Sequence, residues 1–106
     1  MDVWNYNSDS QYTRGVKDVT ISVASSEGGS FTSLGDFTFA LLAEGDEYDG
    51  GYLKRLPQNF SLSANNVRLV KFEVTSNHGD TWRTGMAEVQ FSGTVTQPKG
   101  TVVSIK

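Results

Sequence analysis

The sequence predicts an all-β domain built as an antiparallel β-sandwich, and three observations lead to that fold class. Two runs of alternating apolar and polar residues lie between residues 67 and 93, with Val70, Phe72 and Val74 on one face of the first run. Glycine is frequent, with 11 among 106 residues, which is typical of short strands joined by many turns. No segment carries a helical period long enough to predict a helix.

The other elements follow from the same two signals, alternation and turn residues. Strands are predicted at residues 2–6, 16–24, 31–42 (one strand or two), 60–62, 67–74, 86–93 and 101–105. Paired glycines within residues 25–30 predict a turn, because glycine adopts positive φ without steric cost. In the strand 16–24, Val19, Ile21 and Val23 are expected to face inward and Asp18, Thr20 and Ser22 outward. In the segment 31–42, Phe37, Phe39 and Leu41 are expected to share one face after a bend at Gly35.

The order of the strands predicts that one end of the sandwich carries the long loops. If successive strands run antiparallel, every second connection falls at the same end. The long loops 7–15, 43–55 and 77–85 then share one rim, while the short turns 25–30 and 64–66 share the other. Binding residues concentrate on loops held by a rigid scaffold, so the rim with the long loops is the candidate functional end.

Composition restricts the partners. The net charge is −3 and no run of Lys or Arg occurs, which argues against a nucleic-acid partner. The absence of cysteine excludes disulfides and thiolate metal sites. No apolar run reaches the length of a membrane span, and no basic-then-apolar leader is present. We therefore expect a single domain, residues 1–106, that does not bind nucleic acid and does not span a membrane.

The candidate ligand-binding residues are polar and aromatic side chains of the first and third long loops. Trp82 can stack on the apolar face of a sugar ring, although a loop anchor packed on its own sandwich is the alternative. His78 can hydrogen-bond a ligand hydroxyl, although a hydrogen bond to nearby backbone is the favoured alternative. Arg14 can hold a ligand or pair with a carboxylate such as Asp9 or Asp18. The full predicted set is Tyr12, Arg14, Asn77, His78, Asp80, Trp82 and Arg83.

Catalysis finds little support in the sequence. No Ser-His-Asp constellation has a local signature, and there is neither a nucleophile elbow nor a phosphate-cradling glycine loop. Asp80 and Glu88 could pair as the acid and base of a glycosidase, but nothing in the sequence fixes their separation. We expect that the protein is not an enzyme.

Four runs resemble the discoidin-type family, also called coagulation factor 5/8 type C domains or carbohydrate-binding module family 32. These runs are VWNYN at residues 3–7, RGVKDV at 14–19, RLVKFEV followed by SNHG at 68–79, and GMAEVQFSG at 85–93. The resemblance covers residues 1–93 and leaves 94–106 as an extra C-terminal strand. It implies a galactose-binding-domain-like jelly roll whose apical loops bind sugars or, in some members, phospholipid or protein, and it suggests an extracellular or cell-surface location.

The resemblance also bears on calcium. Family members hold a calcium ion whose last ligands match the main-chain carbonyl of Ala87 and the carboxylate of Glu88, but this chain begins at Met1, immediately before the middle strand of the family pattern. Because the loop that would complete the shell is not in the sequence, we expect no cofactor, with calcium at Ala87 and Glu88 as the alternative.

Three functions follow as hypotheses. The first is a non-catalytic, lectin-like module that binds galactose-like or other glycans, the second a protein-interaction or assembly module, and the third a minimal glycosidase. For assembly we expect a homodimer. A sandwich without the family's N-terminal strands would expose Val19, Val70 or Val89, and the strand 101–105, hinged at residues 98–100, would cover the gap in its own chain or, preferably, in a second copy.

Overall fold

The fold class is confirmed: the protein is all-β and sandwich-like. The computed structural model describes residues 1–6, 11–42 and 57–94, together with the backbone of residues 48–49 and 52–53. Its strands are β1 (Asp2–Asn5), β2 (Asp18–Ala24), β3 (Thr32–Thr38), β4 (Tyr48–Asp49), β5 (Tyr52–Leu53), β6 (Gln58–Asn59), β7 (Leu69–Val74) and β8 (Met86–Gln90), and a 3₁₀ turn covers Tyr12–Arg14. In the described part of the chain no helix has the length and hydropathy of a membrane span.

Two three-stranded antiparallel sheets form the domain, in the orders β6-β1-β8 and β3-β2-β7. The short strands β4 and β5 pair with each other as a separate two-stranded sheet. The segment 67–93 contains both predicted strands, but β7 and β8 belong to different sheets. The polar loop between them therefore crosses from one sheet to the other at the end of the sandwich.

The core lies between the two sheets and follows the predicted alternation. Its buried members are Met1, Val3, Val16, Val19, Ile21 and Phe39, against which the partly buried Leu34, Phe37, Phe60, Leu62, Val70, Phe72, Met86 and Val89 pack. The ring of Phe60 lies 5.3 Å from that of Phe39 and 5.6 Å from that of Phe37, measured between centroids. Phe60 is adjacent to β6, so these aromatic contacts join the two sheets.

Three local predictions were wrong or shifted. Ser22 is buried rather than outward-facing, because the pairing register of β2 and β3 shifts after Ile21, opposite Gly35. Gly35 has a φ of +122°, a conformation that L side chains rarely adopt, and it supplies the predicted bend. Leu41 is exposed because β3 ends at Thr38. The strand predicted at residues 60–62 lies two residues earlier, as β6.

The expected exposure of inner-face valines is also wrong. Val19 is only 1% exposed, and Val70 and Val89 are partly buried against the core. The three described strands of each sheet thus bury Val19 and cover Val70 and Val89 in part. The strand predicted at residues 101–105, most of the loop 43–55 and residues 7–10 of the first loop, including Asp9, lie outside the described residues.

One buried polar residue, Asn5, ties the two sheets together. It shares the inward face of β1 with Val3 and is 4% exposed. Its Nδ2 donates to the carbonyls of Val16, at 2.8 Å, and Ala40, at 3.0 Å. Its Oδ1 accepts from the backbone N–H groups of Tyr6, at 2.9 Å, and Val16, at 3.0 Å. A single side chain thus joins β1 to the segments that precede β2 and follow β3.

We predict that Asn5→Ala lowers the free energy of unfolding by about 2–4 kcal/mol, because it leaves buried backbone groups without partners. The matched control is Asn59→Ala, which removes an exposed amide that donates to Asp2 Oδ1 at 2.7 Å in the same sheet. This control is expected to change stability by less than about 1 kcal/mol. Equal losses in urea denaturation of the two variants would contradict the role given to Asn5.

Candidate functional site

Two of the predicted loops meet at one end of the sandwich, as the strand order predicts. Val16 and Asn77 form an antiparallel bridge, and Gly15 and Gly85 a parallel one. The backbone N–H of His78 donates to Gly15 O at 3.0 Å, and that of Gly85 donates to Arg14 O at 2.8 Å. The segments 11–17 and 75–85 therefore form one continuous surface, here called the loop platform.

Close backbone approach in the platform depends on two glycines. A methyl group on Gly15 would lie 2.9 Å from the side-chain oxygen and nitrogen of Asn5, and one on Gly85 would lie 2.9 Å from the ring of Tyr6. Such distances are too short for real Cβ contacts. Glycine at both positions therefore lets the platform pack directly onto the end of β1 and its neighbour Tyr6.

Asp80 organises the turn that presents Trp82 and Arg83. Its Oδ1 accepts from the backbone N–H of Trp82 at 2.8 Å and of Arg83 at 2.7 Å. Its Oδ2 accepts from Arg14 Nε at 3.3 Å. The two backbone donors, followed by the Arg14 guanidinium, lower the pKa of Asp80 below its ordinary value. All of these bonds favour the carboxylate, so Asp80 is held ionised inside the loop.

Arg14 is held between two partners on the platform. Its Nη1 donates to Tyr6 Oη at 3.3 Å, and its guanidinium lies 5.9 Å from the centroid of the Tyr6 ring. The hydrogen bond with Tyr6, and after it the interaction with Asp80, raises the pKa of Arg14. The predicted pairing of Arg14 with a carboxylate is confirmed, and the carboxylate is Asp80. Asp18 bonds to Ser76 and Thr38 instead, and Asp9 lies outside the described residues. Arg14 therefore links the loop, through Asp80, to Tyr6 just after the end of β1.

Asn77 and His78 are also occupied by internal hydrogen bonds. Asn77 Oδ1 accepts from Gly79 N at 2.9 Å, and its Nδ2 donates to the Asp80 carbonyl at 2.7 Å. The same Nδ2 lies 3.0 Å from Thr84 Oγ1. His78 Nε2 lies 2.7 Å from the carbonyl of Phe39, which assigns the proton to that nitrogen. These contacts match the backbone-bonded alternative for His78.

Trp82 differs from the rest of the predicted set because it is 91% exposed. Its backbone is fixed by Asp80 while its side chain projects into solvent, so the loop-anchor alternative is wrong. Arg83 and Thr81 beside it are exposed, and Tyr12 is half-buried. Of the seven predicted residues, Trp82 and Arg83 are presented outward, while Arg14, Asn77, His78 and Asp80 build the support beneath them.

The sequence reasoning missed the polar network that joins the platform to β2. Asp18 Oδ2 accepts from Ser76 Oγ at 2.7 Å, and Asp18 Oδ1 accepts from Thr38 Oγ1 at 3.0 Å. The hydroxyl of Ser76, followed by that of Thr38, lowers the pKa of Asp18. Asn5 was missed as well, although a polar residue at an inward position of an alternating strand was the signal that could have identified it.

The resemblance assigns Ala87 and Glu88 to a calcium position, and both lie on β8. Glu88 lies on β8 opposite Trp4, and its carboxylate accepts from Gln90 Nε2. Ala87 is exposed. Calcium takes about six to eight oxygen ligands, yet among the described residues no three His, Asp or Glu side chains come together.

Comparison of the chain with protein-family models, with curated proteins and with solved structures gives no significant match.

We predict that Asp80→Asn lowers the Tm by a few degrees at pH 7 and that this difference shrinks as the pH falls. The folded pKa of Asp80 lies below the ordinary value of 3.8. Its ionised form therefore contributes stability above that value, and the contribution is lost as the pH falls from about 5 through the folded pKa. Thermal melts between pH 7 and pH 2.5 measure both effects.

The control is Thr81→Ala, which removes an exposed hydroxyl from the same loop. Its Tm is expected to follow that of the parent protein at every pH. A difference between Asp80→Asn and the parent that stays constant down to pH 2.5 would contradict the assignment.

Proposed function

We propose that this protein is a non-catalytic carbohydrate-binding module and that Trp82 is its sugar-stacking residue. The observation that carries the proposal is the 91% exposure of Trp82 on a turn whose backbone is bound by Asp80. An indole ring held out in water on a fixed backbone offers a flat apolar face to a partner. The C–H face of a pyranose is such a partner, because it is apolar and flat enough to cover an indole ring.

The hydrogen bonds that order the loop around Trp82 favour binding. Asp80 and Asn77 fix the backbone on both sides of Trp82 through hydrogen bonds within the loop. Ordering of a loop on binding costs free energy, and a loop that is already ordered avoids that cost. Exposed Arg83 and Thr81 next to the ring supply donors for sugar hydroxyls.

The resemblance of residues 3–19 and 68–93 to discoidin-type domains supports the same function. In that family the apical loops bind sugars, and galactose-like or other glycans are the ligands that it implies. The resemblance also suggests an extracellular or cell-surface location, where such glycans are displayed.

The charges on the platform favour binding over glycosidase chemistry. A glycosidase acid needs a carboxyl group whose pKa is raised so that it keeps its proton. The pKa of Asp80 is lowered instead, and its carboxylate is used by Trp82, Arg83 and Arg14. Glu88, the other carboxylate considered, bonds to Gln90 on its own strand.

A second candidate function, assembly with a protein partner, rests on the opposite end of the sandwich. Val67 and Phe91 are 42% and 51% exposed and line a cleft there. Exposed apolar side chains at a cleft are typical of a packing surface. In the homodimer expected from the sequence, residues 101–105 of the second copy would cover this cleft.

We predict that Trp82→Ala weakens glycan binding at least tenfold, which corresponds to about 1.4 kcal/mol or more. A glycan array identifies the ligand, and affinity electrophoresis in gels containing that glycan measures the change. Trp82→Phe keeps an aromatic face and is expected to retain part of the affinity. The control is Phe31→Ala, which removes another exposed aromatic residue, 40% exposed, at the start of β3.

Failure of the array to detect any glycan would refute the proposal, as would Phe31→Ala and Trp82→Ala having equal effects. A pull-down partner whose capture is insensitive to sugar but lost in Trp82→Ala would place the platform in the protein-interaction class instead.

We also predict that binding does not depend on calcium. The platform is held by hydrogen bonds and the Arg14–Asp80 ion pair, and the carboxylate of Glu88 bonds to Gln90. Addition of a chelator is therefore expected to leave both the affinity and the Tm unchanged. Loss of binding in chelator, restored by added calcium, would contradict this prediction.

A further inference from the structure

An open cleft lies at the end of the sandwich opposite the loop platform. It has a volume of about 570 Å³ and runs between the two sheets, and the turn 64–66 forms one of its walls. A second opening of about 280 Å³ shares part of this lining. The apolar side chains that line the larger cleft are Val23, Leu34, Leu62, Val67, Val70 and Phe91.

Part of this lining belongs to the core, although the cleft is open and Asn65, Asn66, Arg68 and Ser92 also line it. Leu34, Leu62 and Val70 pack against the buried core on one side while facing the cleft on the other. Val67 and Phe91 at its edge are 42% and 51% exposed. Covering these apolar side chains with others would remove them from water, which is favourable.

The described chain leads directly into this cleft. Thr94, its last residue, lines the cleft, and residues 91–94 beyond β8 belong to no strand of the described sheets. Residues 95–106 follow in the sequence and contain the run TVVSI at 101–105. Val103 and Ile105 share one face of an extended chain, while Val102 lies on the other face with Ser104. The run thus carries an apolar face of its own.

We propose that residues 101–105 of the same chain pack into this cleft as a strand and close the sandwich, with Val103 and Ile105 facing inward. Pro98 and Gly100 suit the reversal, because proline fixes φ for a turn and glycine allows positive φ. The connection 95–100 can extend to about 20 Å, so it allows the run to return beside residues 91–94. Pairing with residues 91–94 would satisfy the backbone groups of the new strand.

The same chain is the preferred source of this strand. A segment tethered six residues from the cleft has an effective concentration in the millimolar range, above that of a second copy under ordinary conditions. The exchanged dimer is therefore the competing outcome of the test.

The chain has no cysteine, so a single spin label can be placed without background. In the full chain, a nitroxide on Lys106→Cys is expected to broaden the amide signals of Leu62 and Val67 and to leave those of Thr81 and Trp82 sharp. A nitroxide on Thr81→Cys, at the other end, is the control and should give the reverse pattern. Sharp Leu62 and Val67 signals with the label at 106 would overturn the proposal.

A mixed sample separates the two sources of the strand. Spin-labelled protein without isotope is combined with isotope-labelled protein that carries no spin label, after joint unfolding and refolding. The proposal expects no broadening in this sample and a monomeric mass by light scattering. Broadening at Leu62 and Val67 in the mixed sample, with a dimeric mass, would assign the cleft to a second copy and overturn the proposal.

A pair of substitutions tests the inward face without any label. Val103→Asp is expected to lower the Tm by at least about 8 °C and to increase binding of an apolar dye, because it places a charge in the cleft. Val102→Asp, one residue away on the other face, is expected to lower the Tm by less than half as much. Equal shifts for the two variants, or no shift for Val103→Asp, would refute packing of this face in the cleft.

Discussion

The hydrogen bonds of Asn5 are the constraint on which the arrangement of both sheets and the loop platform depends. The four bonds of this buried amide reach its neighbour Tyr6, the segment before β2 and the segment after β3. A buried amide with all its partners is stable, whereas the same groups without it would be unsatisfied. Gly15 packs directly on this amide, so the position of the platform is fixed by a buried residue of β1.

Most of the polar side chains of the platform hold the loop together, and Trp82 is the side chain that they leave exposed. The Arg14–Asp80 pair, Asn77 and His78 direct their polar atoms into the protein, and Asp80 in particular is bonded to the backbone of the residues that it presents. Polar residues in a surface loop are often interpreted as ligand contacts. Here their donors and acceptors are used within the loop, which leaves the ring of Trp82 as the principal feature directed at solvent.

The two ends of the sandwich consequently have different chemistry. In the described residues, the platform end is polar, internally bonded and carries the exposed ring of Trp82, which suits a shallow contact with a hydroxylated ligand. The opposite end is an open cleft lined by polar residues and by apolar side chains that continue the core. A surface that continues a core favours permanent packing by a strand, whereas a rigid exposed ring favours reversible binding.

The sequence by itself determined the all-β class, the inward positions of Val19, Ile21 and Phe72, and the meeting of the first and third loops. Alternation is a local property of each strand, and the end at which a loop lies follows from counting the strands. Only the tertiary structure decided that Arg14 pairs with Asp80, 66 residues away, that Asn5 joins the sheets and that Trp82 is exposed. Those outcomes depend on which backbone groups lack partners once two sheets are stacked. The order of residues in the sequence does not contain that information, because the same polar residue in a loop can bind a ligand or hydrogen-bond to its own backbone.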